Sequence, residues 1–261
     1  MYAGFKNLTW PIISGPTRSV YSKLRDHNRC NHRDYQNLAV NGADSFNLQK
    51  YQLSLSRSRD KDYPLLVGIG LVGNDVCNKF VDDTVDHMTT PQQMYNNLVK
   101  TLTFLNDTLP AGSHVFMTGV ADGRYLYSYL SKRMHPLGSL NQDVTYPALY
   151  TFLNCLAISP CSGWMNTNET VRNATARRVF ELNNAIVDVQ KDFSKKFRQF
   201  DVSYFPNPVD DGTCWCVRAR TCVLFGSVHL LVLILLFLRN RRIVRLSCEY
   251  CTEAGVLSAV G

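Results

Sequence analysis

The chain is 261 residues long, enough to bury one sizeable hydrophobic core, or one core with a short appendage. Its apolar and charged contents are those of a globular protein, and its net charge is +7. Six arginines and only two acidic residues follow Cys214, so the last part of the chain carries +4 and the preceding body only +3. No run of lysines and arginines forms a basic stripe in the body, which argues against nucleic-acid binding.

Helix and strand signals alternate along the first 205 residues. The predicted helices are 16–27, 43–57, 91–105, 122–133, 146–156 and 173–196, and the predicted strands are 35–40, 65–72, 114–120 and 200–205. Thr90 and Pro91 form an N-cap followed by proline at the first helical position, and apolar residues recur at helical spacing up to Leu105. The alternation predicts an α/β fold with a mostly parallel sheet covered by helices on both faces, an α/β/α three-layer arrangement.

The alternation ends near Pro206, which predicts a domain over 1–205 and a divergent Cys- and Arg-rich tail over 206–261. Residues 221–238 of the tail are nearly all apolar and are followed by Arg239-Asn-Arg-Arg242. This segment reaches the lower limit of a membrane-spanning length, with the arginines on the cytoplasmic side. Alternatively, the tail comes from an alternative exon or unspliced sequence and does not belong to the fold. Both interpretations stay open.

Four glycosylation sequons suggest passage through a secretory compartment. They begin at Asn7, Asn106, Asn168 and Asn173. No signal peptide is present, because the first residues lack a basic start followed by an apolar run. We therefore expect that the true beginning of the protein is missing.

The nine cysteines are many for a cytosolic chain and are irregularly spaced. The candidate disulfide cysteines are Cys30, Cys77, Cys155 and Cys161, and one pair expected to persist in a secretory compartment is Cys155–Cys161. Two further pairs, Cys214 with Cys216 and Cys248 with Cys251, resemble zinc ligands in their spacing. The apolar run between them makes a compact four-cysteine site improbable, so no metal site and no cofactor is predicted.

The most informative stretch is the apolar run that ends in Gly73-Asn74-Asp75. It predicts a buried strand that delivers a polar loop to the sheet edge where open α/β folds place their ligands. There the side-chain amide of Asn74 could stabilise the oxyanion of an acyl-transfer intermediate. The same three residues also make an ordinary turn.

Several longer motifs carry a resemblance to a known family. They are 28–37 (NRCNHRDYQN), 41–43 (NGA), 72–77 (VGNDVC), 135–138 (HPLG), 149–155 (LYTFLNC) and 159–165 (SPCSGWM). From about Thr9 to Phe205 the chain resembles the acyloxyacyl hydrolases, a group within the GDSL, or SGNH, ester hydrolases. The resemblance implies a secreted or lysosomal lipase that removes secondary fatty acyl chains from the lipid A of bacterial lipopolysaccharide. It also implies a saposin-like segment in the complete protein.

The resemblance assigns an oxyanion hole to Gly42 and Asn74, which match the glycine and asparagine blocks of SGNH enzymes. The other two blocks are not found. No Gly-Asp-Ser precedes the first predicted strand, and no Asp-x-x-His occurs in the chain. Ser45, in Gly42-Ala-Asp-Ser45, remains a candidate nucleophile, with a serine that merely starts a helix as the alternative reading.

Two functional hypotheses follow. The first is a partial acyloxyacyl hydrolase-like chain, carrying part of the oxyanion hole and acyl groove but inactive alone. The second is a non-catalytic, membrane-tethered lipid-binding or decoy protein anchored through the apolar tail segment. In either case loss of the first strand, which is usually central in a doubly wound sheet, should expose its neighbours, among them Leu38, Val40, Leu66 and Val67. We therefore expect marginal stability.

Overall fold

A computed structural model describes residues 19–32, 34–77 and 85–207, together with the backbone of 231–236. The α-helices are α1 Val20–His27, α2 Leu48–Tyr51, α3 Pro91–Thr108, α4 Gly123–Leu130, α5 Tyr146–Cys155 and α6 Glu169–Phe193. The strands are β1 Tyr35–Asn37, β2 Leu65–Gly70, β3 Ser113–Thr118, β4 Phe200–Phe205 and β5 Leu231–Leu236. Short 3₁₀ turns occupy Arg29–Asn31, Ser45–Asn47, Gln52–Ser54, Val85–His87 and Pro136–Gly138.

The five strands form one sheet in the order β1-β5-β2-β3-β4. Strands β2, β3 and β4 are parallel neighbours, and β5 runs antiparallel to both β1 and β2. Side chains on both sides of β2 are buried, as expected for a strand covered on both faces. The predicted α/β class with a mostly parallel sheet is confirmed.

The long helices form where capping residues and apolar spacing predict them. Thr90 and Gln93 make a reciprocal capping box at the start of α3, with Pro91 at the first helical position. The core-facing residues are Met94, Leu98, Leu102 and Leu105 on α3, and Val179, Leu182, Ile186 and Val189 on α6, all of them buried. Helix α6 begins earlier than predicted, because the side chain of Asn168 accepts a hydrogen bond from the Thr170 N–H and caps the helix there.

The predicted helix over 43–57 is wrong as a single element. The chain forms a 3₁₀ turn, the four-residue α2 and a second 3₁₀ turn instead. Gln36 explains the early end, because its amide donates to the carbonyl of Ser54 at 2.7 Å and accepts from the Ser56 N–H at 3.1 Å. These bonds hold the chain extended beside β1, where a helix cannot continue.

The apolar tail departs from both of its sequence-based interpretations over the six residues that the structure describes. Leu231–Leu236 is a β-strand within the main sheet, and the remainder of 221–238 lies outside the described residues. No helix among those described is long and apolar enough to cross a bilayer. Strand β5 pairs with both β1 and β2. The predicted exposure of Val67 is wrong, because this side chain is only 1% exposed, and Leu38, Val40 and Leu66 are half-buried.

Candidate functional site

The loops after β1 and β2 meet at one edge of the sheet. The side-chain amide of Asn74 donates a hydrogen bond to the backbone carbonyl of Ala43 at 2.6 Å. Gly42, directly before Ala43, has φ +77° and open space where a Cβ would stand. That backbone favours glycine, and the open space lets another molecule approach the main chain closely. The structure therefore brings Gly42 and Asn74 together as the sequence predicts, and their role as oxyanion donors stays a prediction.

Asp75 lies beneath these loops and is 3% exposed. Its carboxylate accepts hydrogen bonds from the Ser45 hydroxyl at 2.6 Å and the Thr89 hydroxyl at 2.7 Å, and from the Ser45 N–H. Its backbone carbonyl also accepts from the Thr89 N–H at 2.9 Å. One buried side chain thus joins the loop after β1, the turn after β2 and the residues that lead into α3.

Burial raises the pKa of Asp75 above its usual value of 3.8. Hydrogen bonds from Ser45 and Thr89 favour the charged form and oppose this rise, and the nearby carboxylate of Asp44 adds to it. The folded state therefore holds a proton at pH values where the unfolded chain has already lost it. By linkage, the stability contributed by this group is fully present below the unfolded pKa and is lost as pH rises through the folded pKa.

Ser45 is a structural residue in this geometry. It starts the 3₁₀ turn Ser45–Asn47, and none of its surface is exposed. Its hydroxyl donates to Asp75 and accepts a hydrogen bond from the side-chain amide of Asn97 at 3.1 Å. A hydroxyl buried in this way does not reach a substrate, so the geometry contradicts Ser45 as nucleophile and favours the serine that starts a helical turn.

Trp164 packs against the asparagine loop and is 8% exposed. A Cβ added at either Gly73 or Gly123 would overlap its ring, so both glycines are needed for this close contact. Gly73 precedes Asn74, and Gly123 begins α4 after the N-cap Asp122. The indole therefore fixes the turn that carries Asn74. In the sequence Trp164 appeared only within a family-like motif, and nothing in its spacing indicated this position.

Further hydrogen bonds hold the chain after β3 at the same edge of the sheet. The chain after β3 is tied to the chain after β2 by the Ala121 N–H, which donates to the Val72 carbonyl at 2.9 Å. Asn183 of α6 pairs with both backbone groups of Val120, at 2.7 and 3.0 Å. These contacts join the chain after β3 to the chain after β2 and to α6. They could not be found from the sequence, because an asparagine inside a helix carries no distinctive local signal.

A disulfide links Cys77 to Cys161. The predicted pair Cys155–Cys161 is wrong, since Cys155 and Cys30 are free and exposed. Cys155 ends α5 at the surface, whereas residues 161–166 are buried and run against the turn after β2. The bond therefore fastens the segment containing Trp164 to the turn containing Asn74.

The described sequons are accessible to different degrees. Asn168 and Asn173 are exposed and Asn106 is half-buried, whereas Asn7 lies outside the described residues. The side-chain oxygen of Asn168 accepts the capping hydrogen bond of α6. Its amide nitrogen is the atom that glycosylation modifies, so the cap and a glycan use different atoms.

An apolar pocket lies between the sheet and the segments that follow β1. It is lined by Leu38, Leu48, Tyr51, Gln52, Leu55, Val67, Ile69, Thr101 and Leu105. Gln52 and Thr101 are the polar members of this lining. Five of the lining residues also belong to the hydrophobic core, so the pocket is a small gap in that core: Leu48, Leu55, Val67, Ile69 and Leu105.

Comparison with known proteins agrees with this arrangement. Residues 2–221 match the family of GDSL-like lipases and acylhydrolases. The chain belongs to this family. It is similar to the acyloxyacyl hydrolases of Mus musculus, Oryctolagus cuniculus and Homo sapiens, with 46%, 47% and 46% identity over 208 residues. These matches cover 76% of this chain and 36% of each relative, so the chain spans about a third of their length.

Changing Asp75 to alanine should lower the free energy of unfolding by about 1–3 kcal/mol, because the buried donors of Ser45 and Thr89 lose their acceptor. Asp75→Asn retains an oxygen for these donors and should cost less. Urea unfolding from pH 4 to 7 measures both variants. The stability of Asp75→Asn relative to the parent should rise with pH, because the parent alone must ionise a carboxyl whose pKa is raised. Equal losses for both variants, with no trend in pH, would contradict this role.

Gly73→Ala should destabilise the protein by about 1–3 kcal/mol, because the new methyl group overlaps the ring of Trp164. Replacing the indole by a smaller ring provides the matched control. The double variant Gly73→Ala/Trp164→Phe should lose less stability than the two single losses added together. Strict additivity in thermal or urea unfolding would show that the two side chains do not compete for space.

Cys161→Ser should reduce stability by about 2–5 kcal/mol through loss of the disulfide. Cys155→Ser is the control and should leave the unfolding midpoint unchanged, because Cys155 is free and exposed. Peptide mapping of the unreduced protein should recover Cys77 joined to Cys161. Recovery of Cys155 joined to Cys161 would refute the pairing.

Proposed function

We propose that this chain carries the oxyanion-hole portion of an acyl-ester hydrolase for acylated lipids. We further propose that the complete protein removes secondary fatty acyl chains from the lipid A of lipopolysaccharide. The observation that carries the proposal is the 2.6 Å hydrogen bond from Asn74 to Ala43, which places the asparagine amide beside Gly42. Membership of the GDSL-like family and identity to acyloxyacyl hydrolases support it.

The chemical role of the two loops follows from ester hydrolysis. Attack on an ester carbonyl places negative charge on its oxygen, and preorganised N–H donors lower the energy of that oxyanion. The backbone N–H of Gly42 and the amide of Asn74 are the proposed donors. The amide nitrogen of Asn74 carries two hydrogens, so one N–H remains as a donor when the other is bonded to the Ala43 carbonyl. Removing one such donor typically costs about 2.7–4 kcal/mol of transition-state stabilisation.

The sequons and the Cys77–Cys161 disulfide support a secreted or lysosomal location. The resemblance to acyloxyacyl hydrolases is the basis for proposing a saposin-like segment in the complete protein. A membrane-tethered decoy is the less favoured alternative, since the relatives are hydrolases.

Residues 1–261 alone should not release fatty acid from lipopolysaccharide. The reason is that neither a Gly-Asp-Ser nor an Asp-x-x-His block occurs in the chain, and that Ser45 is buried. Purified protein is incubated with lipopolysaccharide carrying labelled secondary acyl chains, and free fatty acid is counted. Release that Ser45→Ala abolishes would contradict this expectation.

The role of the asparagine is best measured in a full-length relative that turns over substrate. Alanine at the position aligned with Asn74 in the mouse enzyme should lower kcat about 10²–10³-fold, because the oxyanion loses a donor in the transition state. KM should change little. Alanine at the position aligned with the exposed Gln92 serves as the control. A rise in KM with unchanged kcat would instead indicate a residue that binds the ground state.

A further inference from the structure

The position of β5 in the sheet is informative. Doubly wound sheets of the flavodoxin-like type have the order 2-1-3-4-5, so their first strand lies between the second and the third. Here β1, β2, β3 and β4 run in one direction and follow the order of strands 2, 3, 4 and 5. Strand β5 lies between β1 and β2, which is the place of the first strand. We call this place the central position of the sheet.

Strand β5 fills the central position along its whole length. Its six residues pair with all six residues of β2, from Leu65 opposite Leu236 to Gly70 opposite Leu231. On the other side, Leu235, Ile234 and Leu233 pair with the three residues of β1. The facing edges of β1 and β2 are therefore engaged with β5, and no further strand can pair there while it remains.

The composition of the segment suits this place. Leu-Val-Leu-Ile-Leu-Leu is apolar at every position, which is typical of a central strand covered on both faces rather than of an edge strand, where polar residues alternate. The segment 221–238 was predicted as a candidate membrane span. Six of its residues, Leu231–Leu236, suit the interior of a sheet equally well. The sheet has a central strand that the alternation of the first 205 residues did not supply.

The direction of β5 has a chemical consequence. In SGNH enzymes the nucleophilic serine follows the first strand, at the edge where the parallel strands end. Because β5 is antiparallel, its carboxyl end at Leu236 lies opposite Leu65, where β2 begins. The edge near Asn74 faces its amino end instead. The carboxyl end of β5 therefore lies at the edge of the sheet opposite to the loops that carry Gly42 and Asn74.

We propose that Leu231–Leu236 is a substitute central strand, which closes the hydrolase sheet and excludes the strand that would present a nucleophile. In this arrangement a segment of the tail completes the sheet. The loops that carry Gly42 and Asn74 then form without a serine presented beside them by a parallel central strand. This inference concerns the place of the tail in the sheet and does not depend on the lipid substrate. Failure of the lipid proposal would leave it intact.

Cysteine cross-linking tests the register directly. The variant Asn37→Cys/Leu233→Cys joins two residues that face each other across β1 and β5. It is made in a background where Cys30, Cys155 and the five cysteines that follow Phe205 are replaced by serine. The matched control, Asn37→Cys/Leu235→Cys, shifts the partner by two residues, beyond the reach of a disulfide. Mild oxidation and peptide mapping should show the joined peptide in the first variant and its loss in the control. Equal yields in both variants, or no joined peptide in either, would overturn the proposal.

Proline substitution tests whether the strand supports the fold. Ile234 pairs with Gln36 on one side and Val67 on the other, and proline removes its N–H from the ladder. Ile234→Pro should abolish the cooperative thermal transition, and Ile234→Val should retain it. A proline variant that melts like the parent would show that the central position does not need this strand.

Discussion

The buried carboxylate of Asp75 is the constraint on which the rest of the site depends. It accepts hydrogen bonds from Ser45 and Thr89, and in this way it holds the loop after β1 against the turn after β2. Above it, Asn74 bonds to Ala43 and completes the link between the two loops. A buried carboxylate is costly unless its donors are well placed, and that cost makes any displacement of these loops unfavourable. Rigidity of this kind is what an oxyanion hole requires, because donors that must rearrange stabilise the transition state less.

The same turn is supported from outside by a covalent bond and an aromatic ring. Cys161 forms the disulfide with Cys77, and the ring of Trp164 packs on Gly73. These contacts come from a segment more than eighty residues away in the chain, since the cysteines are separated by 84 positions. The turn therefore does not depend on its local sequence alone. A family likeness that includes both segments has a physical basis, because the two segments form one structural unit.

Sequence reasoning predicted the parts of this fold whose signals are local. Thr90 and Pro91 mark the start of α3, and regular apolar spacing marks the core faces of α3 and α6. It placed Gly42 and Asn74 at one site through the family likeness, and Asn74 at the carboxyl end of a strand through the apolar run before it. It named Cys77 and Cys161 among the disulfide candidates but paired Cys161 with the wrong cysteine, and it missed Trp164 and Asn183, whose partners are remote in sequence. It also misread Leu231–Leu236, because an apolar run of this kind has the same composition in a bilayer as in a central strand.

The central claim is that the loops carrying Gly42 and Asn74 converge on one small space beside the sheet. Nuclear Overhauser contacts of the Asn74 side-chain amide measure this most directly, on protein selectively labelled with ¹⁵N-asparagine. We expect contacts from that amide to the α-protons of Gly42 and Ala43, consistent with the 2.6 Å bond. An assigned Asn74 amide with contacts only to its own turn would mean that the loops lie apart, and the hydrolase geometry would then have no support.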